Sequence, residues 1–238
     1  MRKLLILASL VIISITASGQ MMLPGVVASS RLKSTLTNGL YGHWKFENNA
    51  EDSFGAYDGT ATNVTYVAGK SGNAASFNGS TSKVVIGNVI KPTTAMSFSV
   101  WIKDGGQSAE KHVISHTIYD GAWKGWRFTR YSDNAAGVLI TDGIGNFLDV
   151  AFGSTYSNDV WHHVVFTWNG TTAYVYQDGT KNSGWTFTPD IGYGTTHNLT
   201  FGANDSGAQV YDGEIDELRI YNRALTDAEA NELYHEFD

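Results

Sequence analysis

GEIDELRIYNRAL, residues 213–225, is the stretch of sequence that decides the fold. Its mixture of β-branched, aromatic and alternating polar residues predicts a β-strand, in which side chains two positions apart share a face. Glu214 and Asp216 would therefore point to one side of the strand, and Glu217 would point to the other. The next position on the first side is held by Leu218. The strand is acidic, but it lacks a regular row of three acids.

The spacing of these acids comes close to a motif of carbohydrate-cleaving enzymes. Laminarinase-type glycoside hydrolases carry acids at positions i, i+2 and i+4 or i+5 of one strand, where they serve as nucleophile, helper and acid/base. Glu214 and Asp216 match the first two positions, but Leu218 and Arg219 occupy the two possible third positions. A hydrolase is therefore the less favoured interpretation of this strand.

The same residues resemble another branch of that fold, the laminin-G-like domains of secreted and surface proteins. The last strand of those domains typically has the pattern G-x-I-D-E-[VL]-R-[IV]-Y-N-R-A-L, and residues 213–225 match each defined position. Further resemblances to the family are YGHWKF at residues 41–46, DSFG at 52–55, GKSGNAASFNG at 69–79 and WHHV at 161–164. The resemblance covers the chain from about Leu40 to the end. It implies an all-β, two-sheet antiparallel jelly roll of the concanavalin-A-like type.

Short strands separated by tight turns are predicted for most of the chain. Asp-Gly pairs, whose residues tolerate positive φ, occur at residues 58–59, 104–105, 120–121, 142–143, 178–179 and 212–213. Runs rich in β-branched and aromatic residues lie between them, such as MSFSVWI at 96–102 and WHHVVFTW at 161–168. Near the end, Thr226 and Glu229 have the spacing of a capping box, which predicts a short C-terminal helix docked on the sandwich.

The first 38 residues are predicted to lie outside the folded domain. A basic start followed by an apolar run over residues 4–15 is typical of a cleavable secretory signal. Residues 1–19 are therefore predicted to be a signal peptide and 20–38 a flexible leader, with the jelly-roll domain at 39–238. The predicted location is secreted, periplasmic or cell surface. A membrane anchor is less favoured, because about a dozen apolar residues fall short of the roughly 20 that span a bilayer.

Composition narrows the possible classes of function. The 238-residue chain has no cysteine, which excludes a disulfide scaffold, a thiolate metal site and a cysteine nucleophile. Its formal net charge of -7, without a cluster of Lys and Arg beyond the signal, is unfavourable for nucleic acid and for anionic membranes. The mature chain is predicted not to span a membrane. The predicted partner is a glycan or an extracellular protein.

The resemblance also implies a structural calcium ion between the turn after the first strand and the last strand. Asp52 and Asp216 are the positions that carry over, together with Asp58. Carboxylate and carbonyl oxygens are the ligands that calcium prefers, and the chain has no thiolate for a softer metal. The alternative is that Asp52 caps a turn and that Asp216 accepts hydrogen bonds or pairs with a nearby arginine.

A cluster of aromatic residues is the best candidate for a ligand site. Sugars pack their C–H faces on Trp and Tyr rings, while their hydroxyls need Asp, Asn or Gln partners. Tyr119, Asp120, Trp123, Trp126 and Tyr131 surround two glycines in a predicted loop and its flanking strands. The alternative is that Trp126 points into the core and that Trp123 merely covers a loop.

These patterns favour a secreted, non-catalytic, lectin-like module that binds carbohydrate, with calcium as its predicted cofactor. Two alternatives stay open. An adhesion or assembly domain would bind a protein through a flat exposed patch, without an aromatic groove. A laminarinase-type hydrolase would hold two carboxylates about 5 to 9 Å apart in one cleft.

Overall fold

The structure, a computed structural model, describes residues 35–107, 109–132, 135–153 and 156–238. Its strands, in chain order, are β1 (Leu40–Trp44), β2 (Thr60–Thr62), β3 (Thr65–Ala68), β4 (Asn73–Asn78), β5 (Lys83–Gly87), β6 (Met96–Asp104), β7 (Lys111–Tyr119), β8 (Trp123–Arg130), β9 (Ala136–Asp142), β10 (Phe147–Phe152), β11 (Trp161–Trp168), β12 (Thr172–Gln177), β13 (Thr180–Lys181), β14 (Trp185–Thr186), β15 (Leu199–Phe201) and β16 (Asp212–Tyr221). A C-terminal helix, Asp227–His235, follows the last strand.

The strands form two antiparallel sheets that pack face to face. Sheet A has the order β13–β12–β11–β6–β16–β4–β3, with β1 also paired to β16 and β14 to β12. Sheet B has the order β10–β9–β8–β7–β15–β5–β2. The predicted all-β jelly-roll sandwich with a short C-terminal helix is confirmed.

Strand β16, which contains most of the fold-deciding stretch, lies in the middle of sheet A. It pairs with β6 on one side and with β4 and β1 on the other. Ile215, Leu218 and Ile220 are fully buried in the core between the sheets. This strand joins segments that are far apart in sequence, which explains why its residues decide the fold.

Aromatic side chains from both sheets fill the space between them. Phe98 of β6 stacks on Trp126 of β8 with ring centroids 5.8 Å apart, and on Phe166 of β11 at 5.6 Å. Trp44 and Trp168 are also fully buried, as their strand patterns predict. These side chains alternate with neighbours that point to an outer face, which is the period-2 pattern of a sandwich strand.

The C-terminal helix covers part of the outer face of sheet A. The predicted capping box is present, because the Thr226 hydroxyl accepts the Glu229 N–H and the Glu229 carboxylate accepts the Thr226 N–H at 2.9 Å. Leu233 is buried in an apolar cluster on this face. The Tyr234 ring stacks on Trp101 of β6 with centroids 5.8 Å apart. The predicted docking of the helix on the sandwich is confirmed.

The predicted signal peptide, residues 1–19, and most of the predicted leader lie outside the described residues. Residues 35–38 fall within the leader, yet they include a turn that places Leu36 in the apolar cluster of the C-terminal helix and β16. The domain therefore includes these four residues. Within the part of the chain that the structure describes, no helix is long and apolar enough to cross a membrane.

A β-bulge in β16 changes the direction of Glu217. Regular alternation predicts that Glu217 points to the side opposite Glu214 and Asp216, and this prediction is wrong. The pairing with β6 shifts between Asp216 and Arg219, and Glu217 adopts a left-handed backbone conformation with a φ of 47°. The bulge interrupts the alternation of side chains, so Glu217 does not point into the core. Its carboxylate is instead hydrogen-bonded to His43 and Arg219 on the outer face of sheet A.

Candidate functional site

The end of sheet B at the β7–β8 turn carries two of the predicted aromatic residues. Tyr119 ends β7 and Trp123 begins β8, with an Asp-Gly turn between them in which Gly121 has a φ of 104°. The exposed fraction is 63% for the Tyr119 side chain and 39% for Trp123. Their ring centroids lie 5.3 Å apart in an edge-on arrangement. The hairpin therefore presents two exposed rings side by side.

A cleft of about 330 Å³ lies beside these rings. Strand β7 provides one side of the cleft, and the loop between β15 and β16 provides another. The lining residues are His112, Thr117, Ile118, Tyr119, Trp123, Asn204, Asp205, Ser206 and Gln209. Aromatic rings and short polar side chains face the same space, and this composition suits a polar ligand that also has apolar faces.

The β15–β16 loop is held in place by its own hydrogen bonds. The Asn204 side-chain oxygen accepts the Ala208 N–H at 2.8 Å, and its amide nitrogen donates to Gln209 Oε1 at 3.0 Å. Asp205 accepts a hydrogen bond of 2.8 Å from the Asn198 amide. The polar wall of the cleft is therefore preorganised, which lowers the entropic cost of binding.

A buried arginine lies next to the exposed rings. The Arg127 guanidinium lies 4.7 Å from the Trp123 ring centroid, and its Nη2 is 3.3 Å from Glu110 Oε1. Arg127 is 6% exposed, and its Nε and Nη1 atoms have no hydrogen-bond partner among the described residues. Buried donors without acceptors are unfavourable for stability, so Arg127 stabilises the fold less than a fully paired arginine would.

The titratable groups around Arg127 are shifted by burial and by one another. Burial lowers the pKa of His112, although its contact with Glu110 acts in the opposite direction. The contact with His112, whose Nε2 lies 3.6 Å from Glu110 Oε1, holds the pKa of Glu110 below its usual value. Burial raises the pKa of Asp149, which lies two strands away from Arg127 in the same cross-strand row. At neutral pH His112 is therefore uncharged, and Arg127 has acidic neighbours.

The structure separates the five predicted ligand residues. Tyr119 and Trp123 line the cleft, and Asp120 lies in the turn between them, where it pairs with Lys124 at 2.9 Å. The prediction for Trp126 is wrong. Its side chain alternates to the inner face of β8 and is fully buried in the core.

Tyr131 lies on the same outer face as Trp123 but far along it. Its hydroxyl is next to Gly137, which pairs with Thr129, six residues along β8 from Trp123. Six residues of a strand span about 20 Å. Tyr131 therefore does not share the cleft with the two exposed rings.

The three predicted calcium ligands do not fit a calcium ion as they are placed. Asp52 accepts backbone N–H groups through both carboxylate oxygens at 2.9 to 3.3 Å, and Asp58 accepts the Asp52 N–H at 2.9 Å. Asp216 accepts the N–H groups of Ser71 at 3.0 Å and Glu217 at 2.7 Å. Among the described residues, no group of three or more His, Asp or Glu side chains is arranged to hold a metal ion. The donor set matches turn and bulge capping, and calcium stays a prediction.

The paired acids of β16 lie away from the cleft, in sheet A. Glu214 pairs with Lys103 of β6 at 2.5 Å, and Asp216 is fully buried. Burial raises the pKa of Asp216 to about 7, against the effect of the backbone hydrogen bonds that it accepts. Of the residues that line the cleft on sheet B, one, Asp205, carries a carboxylate. The cleft therefore does not have the paired carboxylates that glycoside hydrolysis requires.

A second cleft, of about 300 Å³, lies where the start of the domain meets the end of the chain. Its acidic groups are paired with Arg219 and His43, and the exposed Lys45 also lines it. Arg219 contacts Glu236 at 2.5 Å and Glu217 at 3.2 Å, and Glu217 also contacts His43. Phe54, 47% exposed, is the exposed ring among its lining residues. Because most of its charged groups are already paired and it has one exposed ring, this cleft is the weaker candidate for a ligand site.

Exposed apolar side chains concentrate at the end of sheet B that carries the first cleft. Four of the six exposed large apolar side chains among the described residues are there, namely Tyr119, Trp123, Ile144 and Phe147. Ile144 is 86% exposed in the β9–β10 turn, and this turn adjoins the β7–β8 turn because Gly143 lies against Lys124. Such a concentration is typical of an interaction site.

The fold and the sequence together define the class of protein. A two-sheet antiparallel jelly roll is an architecture shared by lectins and glucanases. Residues 77–231 match the Laminin_G_3 family, described as the concanavalin A-like lectin/glucanases superfamily, and the chain belongs to this family. The resemblance seen in residues 213–225 is confirmed. Among curated proteins, no sequence matches the chain.

Solved structures share the fold at low sequence identity. The binding domain of Paraclostridial Mosquitocidal Protein 1 is 17% identical with a TM-score of 0.71, over 85% of this chain and 53% of that one. Domain 4 of AbnA, an extracellular arabinanase from Geobacillus stearothermophilus solved in complex with arabinotriose, is 23% identical with a TM-score of 0.65, over 82% and 98%. The ligand-binding domain of botulinum neurotoxin serotype D, solved with N-acetylneuraminic acid, is 16% identical with a TM-score of 0.68, over 86% and 52%. The chain thus spans about half the length of the two toxin domains and nearly all of the arabinanase domain.

Proposed function

We propose that this domain binds carbohydrate without cleaving it, at the cleft beside the β7–β8 turn. The observation that carries the proposal is the pair of exposed rings, Tyr119 and Trp123, beside the preorganised polar groups of Asn204 and Gln209. A sugar would stack its C–H face on the rings and exchange hydrogen bonds with the polar wall. Contacts of this kind are individually weak, and multivalent display would strengthen them.

Two structural relatives support a carbohydrate ligand. The arabinanase domain was solved with arabinotriose and the neurotoxin domain with N-acetylneuraminic acid, and each aligns with more than four-fifths of this chain. Fold likeness alone does not transfer a ligand, so the proposal depends on the residues of the cleft. The predicted secretion suits a module that meets glycans outside the cell.

A glycan array probed with the wild-type protein and with Trp123→Ala tests the proposal. We expect the wild type to bind a defined set of glycans, and the variant to lose at least about tenfold in affinity, which corresponds to about 1.4 kcal/mol. Phe54→Ala removes an exposed ring at the second cleft and is the matched control. It should bind as the wild type does. Unchanged binding by Trp123→Ala, or a loss confined to Phe54→Ala, would place the site elsewhere.

The absence of cleavage is tested on the same protein with a β-glucan as substrate. We expect no soluble products, because the acids of β16 lie in sheet A and one carboxylate lines the cleft. Products that disappear in Glu214→Gln would support the laminarinase-type alternative instead.

A second candidate function, binding of an extracellular protein, is favoured by Ile144 and Phe147. Their side chains are 86% and 58% exposed and extend the apolar surface beyond the cleft. An apolar extension of this kind suits a protein partner better than a sugar. Ile144→Asp separates the two functions, since it should abolish capture of a protein partner and leave the glycan pattern unchanged. Loss of the glycan pattern in this variant would contradict the separation.

A further inference from the structure

We infer that the cleft selects neutral glycans and rejects glycans that carry carboxylate or sulfate groups. This inference rests on the proposed function, because it names the class of sugar that the same site takes. Two observations support it: the charges of the side chains that line the cleft, and the ion pairs made by the nearby Lys and Arg side chains.

The lining side chains carry one formal charge at neutral pH, and it is negative. Among the nine described residues that line the cleft, Asp205 has the one carboxylate, and burial lowers the pKa of His112, which favours the uncharged imidazole. Asp205 accepts its hydrogen bond from Asn198, a neutral donor, so its charge is not cancelled by that contact. An anionic sugar in this cleft would meet a like charge, which disfavours it relative to an uncharged one.

The nearest cations are already paired with carboxylates. Lys124 Nζ lies 2.9 Å from Asp120, and Arg127 Nη2 lies 3.3 Å from Glu110. Arg127 is also buried next to the Trp123 ring, so a ligand in the cleft meets the ring before it meets the guanidinium. Carboxylate and sulfate groups are recognised mainly by free Arg and Lys side chains, and neither residue type lines this cleft.

A third cation, Lys83 of β5, approaches the β15–β16 loop at Gly207. Gly207 is not among the residues that line the cleft. Lys83 therefore approaches the loop at a position outside the lining and is not itself a lining residue.

The cleft has hydrogen-bond acceptors and donors that can bind the hydroxyl groups of a neutral sugar. The Asp205 carboxylate can accept a hydroxyl donor, and such charge-assisted bonds are stronger than neutral ones. The Gln209 amide nitrogen can donate to a hydroxyl oxygen, because the amide oxygen already accepts from Asn204. The same carboxylate that repels an anion thus favours an uncharged polyol, which gives the cleft its selectivity.

The inference is tested on an array of matched glycans. Each neutral core on this array is present together with its sialylated, sulfated or uronate-containing counterpart. We expect each neutral core that binds to bind at least about tenfold more tightly than its acidic counterpart. Binding of the neutral cores should change by less than about twofold between low and high salt, because no ligand charge is screened.

Asp205→Asn tests the residue that carries the selectivity. The variant keeps an oxygen that can accept from Asn198, and we expect the preference for neutral over acidic counterparts to shrink by about threefold or more. Asp227→Asn removes the same charge from the C-terminal helix on sheet A and is the matched control, with an unchanged preference.

The outcomes distinguish the two proposals. Tighter binding of the acidic counterparts would overturn the inference and leave the proposed function standing. Binding to no glycan of either class would overturn the proposed function and this inference with it. An unchanged preference in Asp205→Asn would overturn the assignment of selectivity to Asp205.

Discussion

The outer faces of the two sheets use their buried charged groups in different ways. On sheet A the C-terminal helix packs over the strands, and Arg219 is paired with both Glu217 and Glu236. On sheet B, in the described part of the chain, the rings of the β7–β8 turn stay exposed, and Arg127 is buried with two nitrogens unpartnered. Arg219 is thus paired with two carboxylates, whereas Arg127 is paired with one.

This difference predicts that Arg219 on sheet A contributes more to the stability of the fold than Arg127 on sheet B does. A buried arginine with all its carboxylates in place holds a fold together, and removing it leaves uncompensated buried charge. A buried arginine with a single carboxylate partner contributes less to the stability of the folded state. Four comparisons between the two faces test this difference.

Replacement of each arginine by methionine should affect stability unequally. Arg219→Met leaves Glu217 and Glu236 without their shared cation, and we expect a loss of about 3 to 5 kcal/mol in the free energy of unfolding. Arg127→Met leaves only Glu110, which is more exposed, and we expect a loss of about 1 kcal/mol. Urea denaturation followed by tryptophan fluorescence measures both. Equal losses would remove the distinction between the two faces.

Removing a buried side chain of the C-terminal helix should destabilise the fold and leave binding at the cleft unchanged. Leu233 is 1% exposed in the apolar cluster on sheet A, so Leu233→Ala should lower the free energy of unfolding by about 2 to 3 kcal/mol. Ile144→Ala, at the exposed end of sheet B, is the control and should change it by less than about 0.5 kcal/mol. The glycan pattern of Leu233→Ala should match the wild type, and an altered pattern would couple the two faces.

Acid should destabilise the domain through its buried histidines, and more through His163 of sheet A than through His112 of sheet B. Burial lowers the pKa of His163 to about 3, with Arg219 acting in the same direction. Between the unfolded value near 6.5 and about 3, the unfolded chain binds a proton that the folded chain does not, so stability falls as the pH falls through this window. His163→Gln should therefore flatten the decline of the melting temperature below neutral pH. His112→Gln on sheet B should flatten it less, because Glu110 offsets part of the effect of burial. The reverse order would contradict this account.

Removal of metal should have the smallest effect. The carboxylates of Asp52 and Asp216 already accept backbone N–H groups, so we expect a chelator to change the melting temperature by less than about 1 °C. A fall of several degrees that calcium restores would instead support the predicted calcium ion.

The fold is more predictable from the sequence than the site, and particular residues show why. The β16 stretch and the Thr226–Glu229 capping box are local patterns whose meaning does not depend on distant residues. The bulge at Glu217 has no such local pattern, since a glutamate with positive φ is set by the pairing of β16 with its neighbours. The direction of the Glu217 side chain therefore cannot be predicted from the alternation of residues along the strand.

The site shows the same limit. The density of aromatic residues groups Tyr119 and Trp123, which the structure places at one turn, with Trp126, which strand alternation places in the core. The polar wall formed by Asn204 and Gln209 comes from a distant loop, and no local pattern connects it with the hairpin. Only tertiary structure brings these two parts of the cleft together.

Sugar binding is proposed for the outer face of sheet B and not for the outer face of sheet A. The most direct measurement is an NMR titration with a glycan selected on the array, following the indole N–H signals of Trp123 and Trp101. The account predicts that the Trp123 signal shifts to saturation, while the Trp101 signal, beneath the stacked Tyr234 ring, stays in place. A saturable shift of Trp101 with an unmoved Trp123 would contradict it.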